Sequence, residues 1–508
     1  MHQTNKKYGI TGALSFKEST PSEQAKSEYL AKYLEKSGFF ESEDQAYLRE
    51  RVLGRLDFLI KQFVRDTGEV KGMSTDEAQR CGGTLFTFGS YRLGVHARGA
   101  DIDALCVVPR HVSRKDFFTG FYELLEAEPH VTDLAKVEEA YVPLIKFVCQ
   151  GIPIDLVFAR INQPSVPDNL NLLSNALLRG MDEKCVLSVN GNRVTDELLG
   201  LVPDTNRFHA ALRCIKYWAM RRGVYGNSFG YYGGVAYAIS VARICQLFPN
   251  ASPVVLVHKF FDIYAKWKWP TPVLLQPIED HGYNLKVWDP KVHPADKFHR
   301  MPVITPAYPS MCSTHNVFTS TANLLIEEFK RGSKILNKLL EEKEDKTILD
   351  DIIKELFTMS NFFVRYKRFI MVLIGGNGEA DDFKRWEGFV ESKIRILASK
   401  LEMIEEISDA PPFPKAFKME TWKLCEKCPA FNRIANISSM TNCTCFFIAL
   451  GITGKQMINN KKIIIDIPVK EFKEFVNEKK SAGLEIYINA LSRRDMQAFL
   501  QLYYRKNK

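Results

Sequence analysis

The segment FTFGSYRLGVHARGADIDALCVV, residues 86–108, followed from residue 153 by PIDLVFA, constrains the fold more than any other stretch of the chain. Asp101 and Asp103 alternate within a β-branched, apolar run. On a strand both side chains would leave the same face, about 6.5 Å apart for a rise of about 3.3 Å per residue. Asp155 sits in a second apolar strand segment. Carboxylates on largely buried strands are costly unless positive charge compensates them, and divalent metal does so for three together. Two ions about 3.5 to 4 Å apart clamp an attacking hydroxyl and a leaving phosphate oxygen, the arrangement for in-line nucleotidyl transfer. Upstream, Gly89-Ser90 precedes a helix start, where free N–H groups and a hydroxyl hold a phosphate tail. A lone Asp-x-Asp is more often a turn or a solvated strand edge. Its spacing to Gly-Ser and to a third strand-borne Asp favours the catalytic reading over a domain that keeps the shape without the chemistry.

The surrounding pattern divides the chain. Residues 22–65 read as helical, with Leu30, Tyr33 and Leu34, then Leu53, Leu56, Phe58 and Leu59, on charged backgrounds. Strands are expected at Phe86–Phe88, Asp101–Val108, Val142–Cys149 and Ile152–Phe158, with Gln150-Gly151 as a tight hairpin turn. From about residue 200 the spacing of Phe208, Leu212, Ile215 and Trp218 is helical again, and Gly234 opens the apolar run Val235–Phe248. The charged stretch Glu341–Asp351 marks a boundary. Beyond it a helix over Trp386–Ile404 is mixed with expected strands at Cys445–Ile452 and Ile463–Val469.

At 508 residues, two to four domains are expected. No apolar run approaches the ~18 residues of a membrane span, and the start MHQTNKKYGITG has no apolar core after its lysines, so neither a membrane protein nor a secreted one is expected. The eleven cysteines are an odd number and lie mostly in apolar stretches, which suits a reducing compartment. The net charge of +9 permits an anionic partner. It is unevenly placed: −4 over residues 1–200, +5 over 201–352 and +8 over 353–508.

FGSYRLGVHARGADID resembles the nucleotidyltransferase signature of eukaryotic nuclear poly(A) polymerases, members of the DNA polymerase beta-like superfamily. The resemblance continues through VPLIKF, GIPIDLVFAR, NGNRVTDELLGLVP, ALRCIKYWAMRRGVYGNSFGYYGGVAYA, WPTPVLLQPIED and RMPVITPAYPSMCSTHN, and returns as WEGFVESKIRIL. It implies an α+β multidomain chain. After an N-terminal arm (1–20) come a nucleotidyltransferase palm of mixed sheet and helices (21–200), a helical central domain (201–352) and an RRM-like RNA-binding domain (353–508). It also implies a template-independent polymerase, the catalytic subunit of mRNA 3′-end processing, that adds AMP from ATP to an RNA 3′-hydroxyl with two Mg²⁺ or Mn²⁺ ions. Such a subunit is expected to be monomeric, nuclear and recruited by cleavage and polyadenylation complex subunits.

By the same resemblance Asp101, Asp103 and Asp155 are the metal ligands, with Asp155 beside the ion that activates the 3′-hydroxyl. Phe88, Gly89 and Ser90 match a nucleotide-contacting loop, Lys216 and Tyr225 match triphosphate ligands, and Asn227, Gly234 and Val235 match positions around adenine. Tyr141, Lys146, Asn316 and Lys393 match positions near RNA. From their types alone, Lys216 could as well be a solvated helix lysine and Lys146 an edge-strand lysine. Arg365, Lys367 and Arg368, interleaved with Phe363, Tyr366 and Phe369, form a basic-aromatic cluster of the kind that binds single strands, or a solvated helix face.

Two departures stand out. Val148 and Cys149 follow Phe147 where the family often carries a second basic residue, and the match weakens over 410–460. There Cys425, Cys428, Cys443 and Cys445 have a spacing that superficially suits a four-thiolate zinc site, although Cys443 and Cys445 could equally share a buried strand face. A uridylyltransferase or a CCA-adding enzyme would share the three carboxylates, and a non-catalytic RNA-binding subunit is a rival of another class.

Overall fold

The computed structural model describes residues 8–343, 345–419, 440–453 and 463–506. Thr20 and Glu23 exchange side-chain and backbone bonds around Pro21, and this capping box starts helix α1 (Pro21–Lys36). Ser42 and Gln45 do the same for α2 (Glu43–Val70). The palm sheet follows: β1 (Thr84–Thr87), β2 (Ile102–Val108), β3 (Val131–Val137), β4 (Leu144–Cys149) and β5 (Ile152–Arg160), in the order β1-β2-β5-β4-β3. β2 and β5 are parallel and the other pairs antiparallel. Gln150 and Gly151, with φ of 50° and 78°, form the expected β4–β5 turn. Asp101 falls one residue before β2, so only Asp103 of the pair is on the ladder. β3 was not legible in the sequence. It places β4 inside the sheet, so Lys146 is not an edge-strand lysine.

Helix α3 (Glu183–Leu201), capped by Asp182, packs against β5. The helical domain then builds on α4 (Thr205–Arg222), α5 (Gly234–Leu247), α6 (Pro253–Ala265), α7 (Thr319–Glu341) and α8 (Lys346–Phe357). Its core surrounds the buried Trp218, whose ring meets Phe261 at 4.7 Å and Tyr237 at 6.3 Å. Leu30 and Leu34 of α1 are buried in this core, and α1 packs on α6. Position 352 lies inside α8, which packs on α4 and α7, because Leu349, Ile352, Ile353 and Leu356 recur at helical spacing despite the charged residues among them.

The last domain comprises β6 (Arg368–Gly376), α9 (Ala380–Leu401), β7 (Ile407–Asp409), β8 (Phe417–Met419), β9 (Asn442–Ile452), α10 (Asp466–Asn477), β10 (Leu484–Ser492) and α11 (Arg493–Lys506). The sheet is antiparallel, ordered β10-β6-β9-β7 with β8 also on β9. The strand expected at Ile463–Val469 is absent among the described residues: helix begins at Asp466, and Val469, Phe472 and Val476 follow a helical period. Ile370, Val372 and Ile374 share a core with α9, while Phe369, Met371 and Phe447 face Phe417 and Phe499. The sheet is therefore covered on both sides, and the aromatic surface on which an RRM stacks bases is occupied from within. Among the described residues no helix is long and apolar enough to cross a membrane.

Candidate active site

Parallel pairing of β2 with β5 sets Asp103 opposite Asp155, and antiparallel pairing of β4 with β5 sets Lys146 opposite Asp155. One rung thus carries two carboxylates and an ammonium across three adjacent strands. Lys146 Nζ lies 2.5 Å from Asp155 Oδ2. Asp101 is exposed at the approach to β2. Burial, then the charges of Asp101 and Asp155, push the Asp103 carboxyl up to about 7 against the opposing pull of Lys146 and Lys216.

The loop after β1 closes onto this rung. Phe88 N–H donates to the Asp103 carbonyl at 3.0 Å. Gly89 then turns with φ of 62°, and a Cβ there would collide with Asp103 Oδ2. Only glycine lets the backbone approach the carboxylate so closely. A single helical turn, Gly89–Arg92, carries Ser90, whose carbonyl accepts from Val95 N–H at 3.0 Å. Helix α3 backs the loop: Asn192 Nδ2 donates to the Thr87 carbonyl at 2.9 Å, and Gly89 N–H donates to Thr195 Oγ1 at 3.4 Å. The Phe88 ring rests against Gly191, where a Cβ would be 2.7 Å from it. Phe88 is partly buried and packs on helix α3 beneath the loop. Gly191, Asn192 and Thr195 were missed from sequence as supporting residues, although small and polar residues one turn apart on a helix were the available signal.

The helical domain adds a second set. Lys216 is buried, not solvated, and its ammonium donates to the Val95 carbonyl at 3.1 Å. Burial lowers it to about 8, with Asp101 and Asp103 pulling the other way. Tyr225 stacks on Tyr237 at 6.0 Å and is pushed up to about 12 by burial, then by Asp103 and Asp101. A Cβ on Gly234 would meet the Tyr225 hydroxyl at 3.0 Å. The Asn227 carbonyl accepts from Asn316 Nδ2 at 3.3 Å, and Asn227 Oδ1 is buried without a partner. Val235, 37% exposed, opens α5 beside Gly234.

Other expected sites fare differently. Tyr141 is 72% exposed, and the Lys393 ammonium sits 5.2 Å from the Phe389 ring; the structure does not bring either side chain onto the rung of carboxylates. The basic-aromatic cluster does not form a stacking platform: Tyr366 and Phe369 are buried in the core, and Arg365 Nη1 pairs with Glu327 at 2.5 Å. Lys367 and Arg368 stay exposed. Cys443 and Cys445 are buried on one face of β9, while Cys425 and Cys428 lie outside the described residues.

The donor set suits a hard divalent ion. Asp101, Asp103 and Asp155 offer oxygen only, and Asp103 is held in a field that protonation or a cation must relieve. Among the described residues no three such side chains already converge as a cage, and Asp155 is paired with Lys146. A raised carboxyl favours the protonated fold, so metal-free stability should fall as pH rises from about 4 through about 7. A divalent ion reverses this contribution. Millimolar Mg²⁺ should therefore raise the thermal midpoint more at about pH 8 than at about pH 5.5, and Asp103→Asn should remove the difference. An equal gain at both pH values would contradict the assigned field.

Three family models match the chain: "Poly(A) polymerase nucleotidyltransferase domain" over residues 9–202, "Poly(A) polymerase central domain" over 207–353, and "Poly(A) polymerase predicted RNA binding domain" over 361–430. The chain is 48% identical over 412 residues to poly(A) polymerase PAPalpha of Candida albicans, covering 81% of this chain and 73% of the relative. It is 46% identical over 433 residues to poly(A) polymerase PAPa of the same organism, with 85% and 76% covered. Poly(A) polymerase pla1 of Schizosaccharomyces pombe is 46% identical over 414 residues, with 82% and 72% covered. A palm with paired strand-borne carboxylates, a helical domain that carries a lysine and a tyrosine to them, and these matches across most of the length agree: the chain belongs to the poly(A) polymerase family.

Proposed function

We propose that the three carboxylates and the facing helical-domain residues form the site at which this polynucleotide adenylyltransferase extends RNA without a template. The RNA 3′-hydroxyl gives up its proton to water as its oxygen bonds to the α-phosphorus of ATP, the bond from that phosphorus to the oxygen bridging to the β-phosphate breaks, and pyrophosphate leaves. The observation that carries this reading is the shared rung of Asp103 and Asp155, within electrostatic reach of Lys216. Asp101, Asp103 and Asp155 would hold two Mg²⁺ or Mn²⁺ ions, which supply activation of the hydroxyl and neutralise the leaving phosphate.

The remaining roles belong to the chain itself. Lys216 and Tyr225 are assigned to the triphosphate, with the Gly89-Ser90 backbone closing on the same group. Asn227 Oδ1, buried and unpaired, is an acceptor for the adenine amino group, and Gly234 lets the backbone come close beside it. Lys146, Asn316, Tyr141 and Lys393 are assigned to the primer side, where the Lys146 ammonium has to move aside if an ion is to take Asp155 Oδ2. The enzyme is proposed to act in the nucleus as a monomeric subunit held by cleavage-complex partners.

Incubation of primer RNA with each NTP separately tests the reaction. ATP should be preferred; preferential UTP use, or arrest after CCA, would sink the reading. The charge division gives a second expectation. Neutralising exposed basic residues after 352, Lys367 and Arg368 among them, should lower the salt slope of primer binding by about 0.7 for each phosphate that is no longer neutralised. An unchanged slope would place the RNA elsewhere.

A further inference from the structure

Asp103 is fixed on both sides, by its ladder pairing with Asp155 on β5 and by the bond from Phe88 N–H to its carbonyl, whereas Asp101 precedes the first paired residue, Ile102. Nothing in the sheet therefore sets the direction of Asp101. A buried cluster from outside the sheet meets the chain just before it. Arg49, on α2 and 3% exposed, donates through Nη2 to the Ala100 carbonyl at 2.6 Å. Its Nε donates to Glu41 Oε2 at 2.7 Å, and the other oxygen of Glu41 meets His96 Nε2. Arg49 Nη1 has no partner, so these two bonds hold the guanidinium. His96 in turn packs on Tyr91, rings 5.2 Å apart.

The rest of the loop is tied down by the same surroundings. Arg98 N–H donates to the Phe39 carbonyl at 2.8 Å, Arg213 Nε to the Gly94 carbonyl at 2.8 Å, and Lys216 to the Val95 carbonyl at 3.1 Å. Of these anchors only Arg49 grips the peptide that joins residue 100 to Asp101. That unit is planar, so fixing the Ala100 oxygen also fixes the N–H of Asp101 and the direction in which its Cα leaves. A planar fork braced by a buried carboxylate can hold such an oxygen in one place, which a flexible ammonium cannot.

We infer that Arg49 is a positioning residue for Asp101, braced by the Glu41 carboxylate that His96 shares. The inference rests on the reading of Asp101 as a metal ligand, and it concerns a group that touches neither metal nor substrate. Outer-shell partners of this kind are worth about ten- to a hundredfold in metal affinity.

The test is Mn²⁺ binding to the full chain, followed by the paramagnetic resonance of free Mn²⁺, for wild type, Arg49→Lys, Glu41→Gln and Asp101→Asn. Arg49→Lys keeps a charge beside Glu41 but loses the fork. It should weaken Mn²⁺ about tenfold, raise the metal concentration for half-maximal primer extension by a like factor, and leave the ATP KM at saturating metal unchanged. Unfolding in EDTA shows whether the variant is folded. If it is not, Glu41→Gln decides by the same readout, with a threefold or greater weakening expected. Wild-type Mn²⁺ affinity in the folded variant, with affinity lost in Asp101→Asn, overturns the role of Arg49 and leaves the ligand assignment standing. Wild-type affinity in Asp101→Asn overturns the ligand assignment itself.

Discussion

Asp103→Ala should lower primer extension at least about a thousandfold, roughly 4 kcal/mol in the barrier, while RNA binding stays within a fewfold of wild type. The size follows from position. Asp103 is the carboxylate at the centre of the rung, with Asp101 and Asp155 both raising its proton affinity and the Gly89 loop resting on it. Removing it leaves Asp155 paired with Lys146, a neutral couple with little attraction for a divalent ion. Asp155→Ala should be nearly as severe, and it also frees Lys146. Activity that survives either change would transfer the chemistry to another site. Loss of RNA binding along with activity would instead indicate a damaged fold.

Gly89→Ala should be severe for a residue without a functional group, at about a hundredfold in extension rate and about 1–3 kcal/mol in stability. Two effects combine. A left-handed φ of 62° strains any residue with a Cβ, and that Cβ would run into Asp103 Oδ2, so the carboxylate or the loop must move. Gly151→Ala separates the two. Gly151 has φ of 78° and nothing within 4 Å of an added Cβ, so it carries the strain without the collision. A stability loss common to both, with the catalytic loss confined to Gly89→Ala, is the expected pattern, measured by thermal unfolding and primer extension. Equal catalytic losses would show that strain alone accounts for the effect.

The convergence of the carboxylates and the Gly89 loop was more legible in the sequence than the residues that support them. Asp103, Asp155 and the Gly89 loop could be read because a charged residue on an apolar strand, or a glycine at a sharp turn, violates the local pattern and so demands a reason. β3 could not, because VTDLAKV is half exposed and its polar residues do not alternate cleanly. Ile463–Val469 misled for the opposite reason: four isoleucines and a valine imitate a strand, yet Asp466 and Pro468 suit a helix start and Phe472 and Val476 extend the helical face. Lys216 and Arg365 show the same limit. Both are basic residues on helical segments, and only tertiary packing makes one a buried ammonium facing carboxylates and the other a partner of Glu327.

The most direct test of the two-metal site is crystallographic. Crystals grown with Mn²⁺, ATP and a primer lacking its 3′-hydroxyl would be examined for anomalous scattering at the manganese edge. Two peaks are expected beside Asp101, Asp103 and Asp155, with the Lys146 ammonium withdrawn from Asp155 and Lys216 on the triphosphate. Manganese bound away from these three carboxylates, or Lys146 still seated on Asp155 with nucleotide and primer in place, would contradict it.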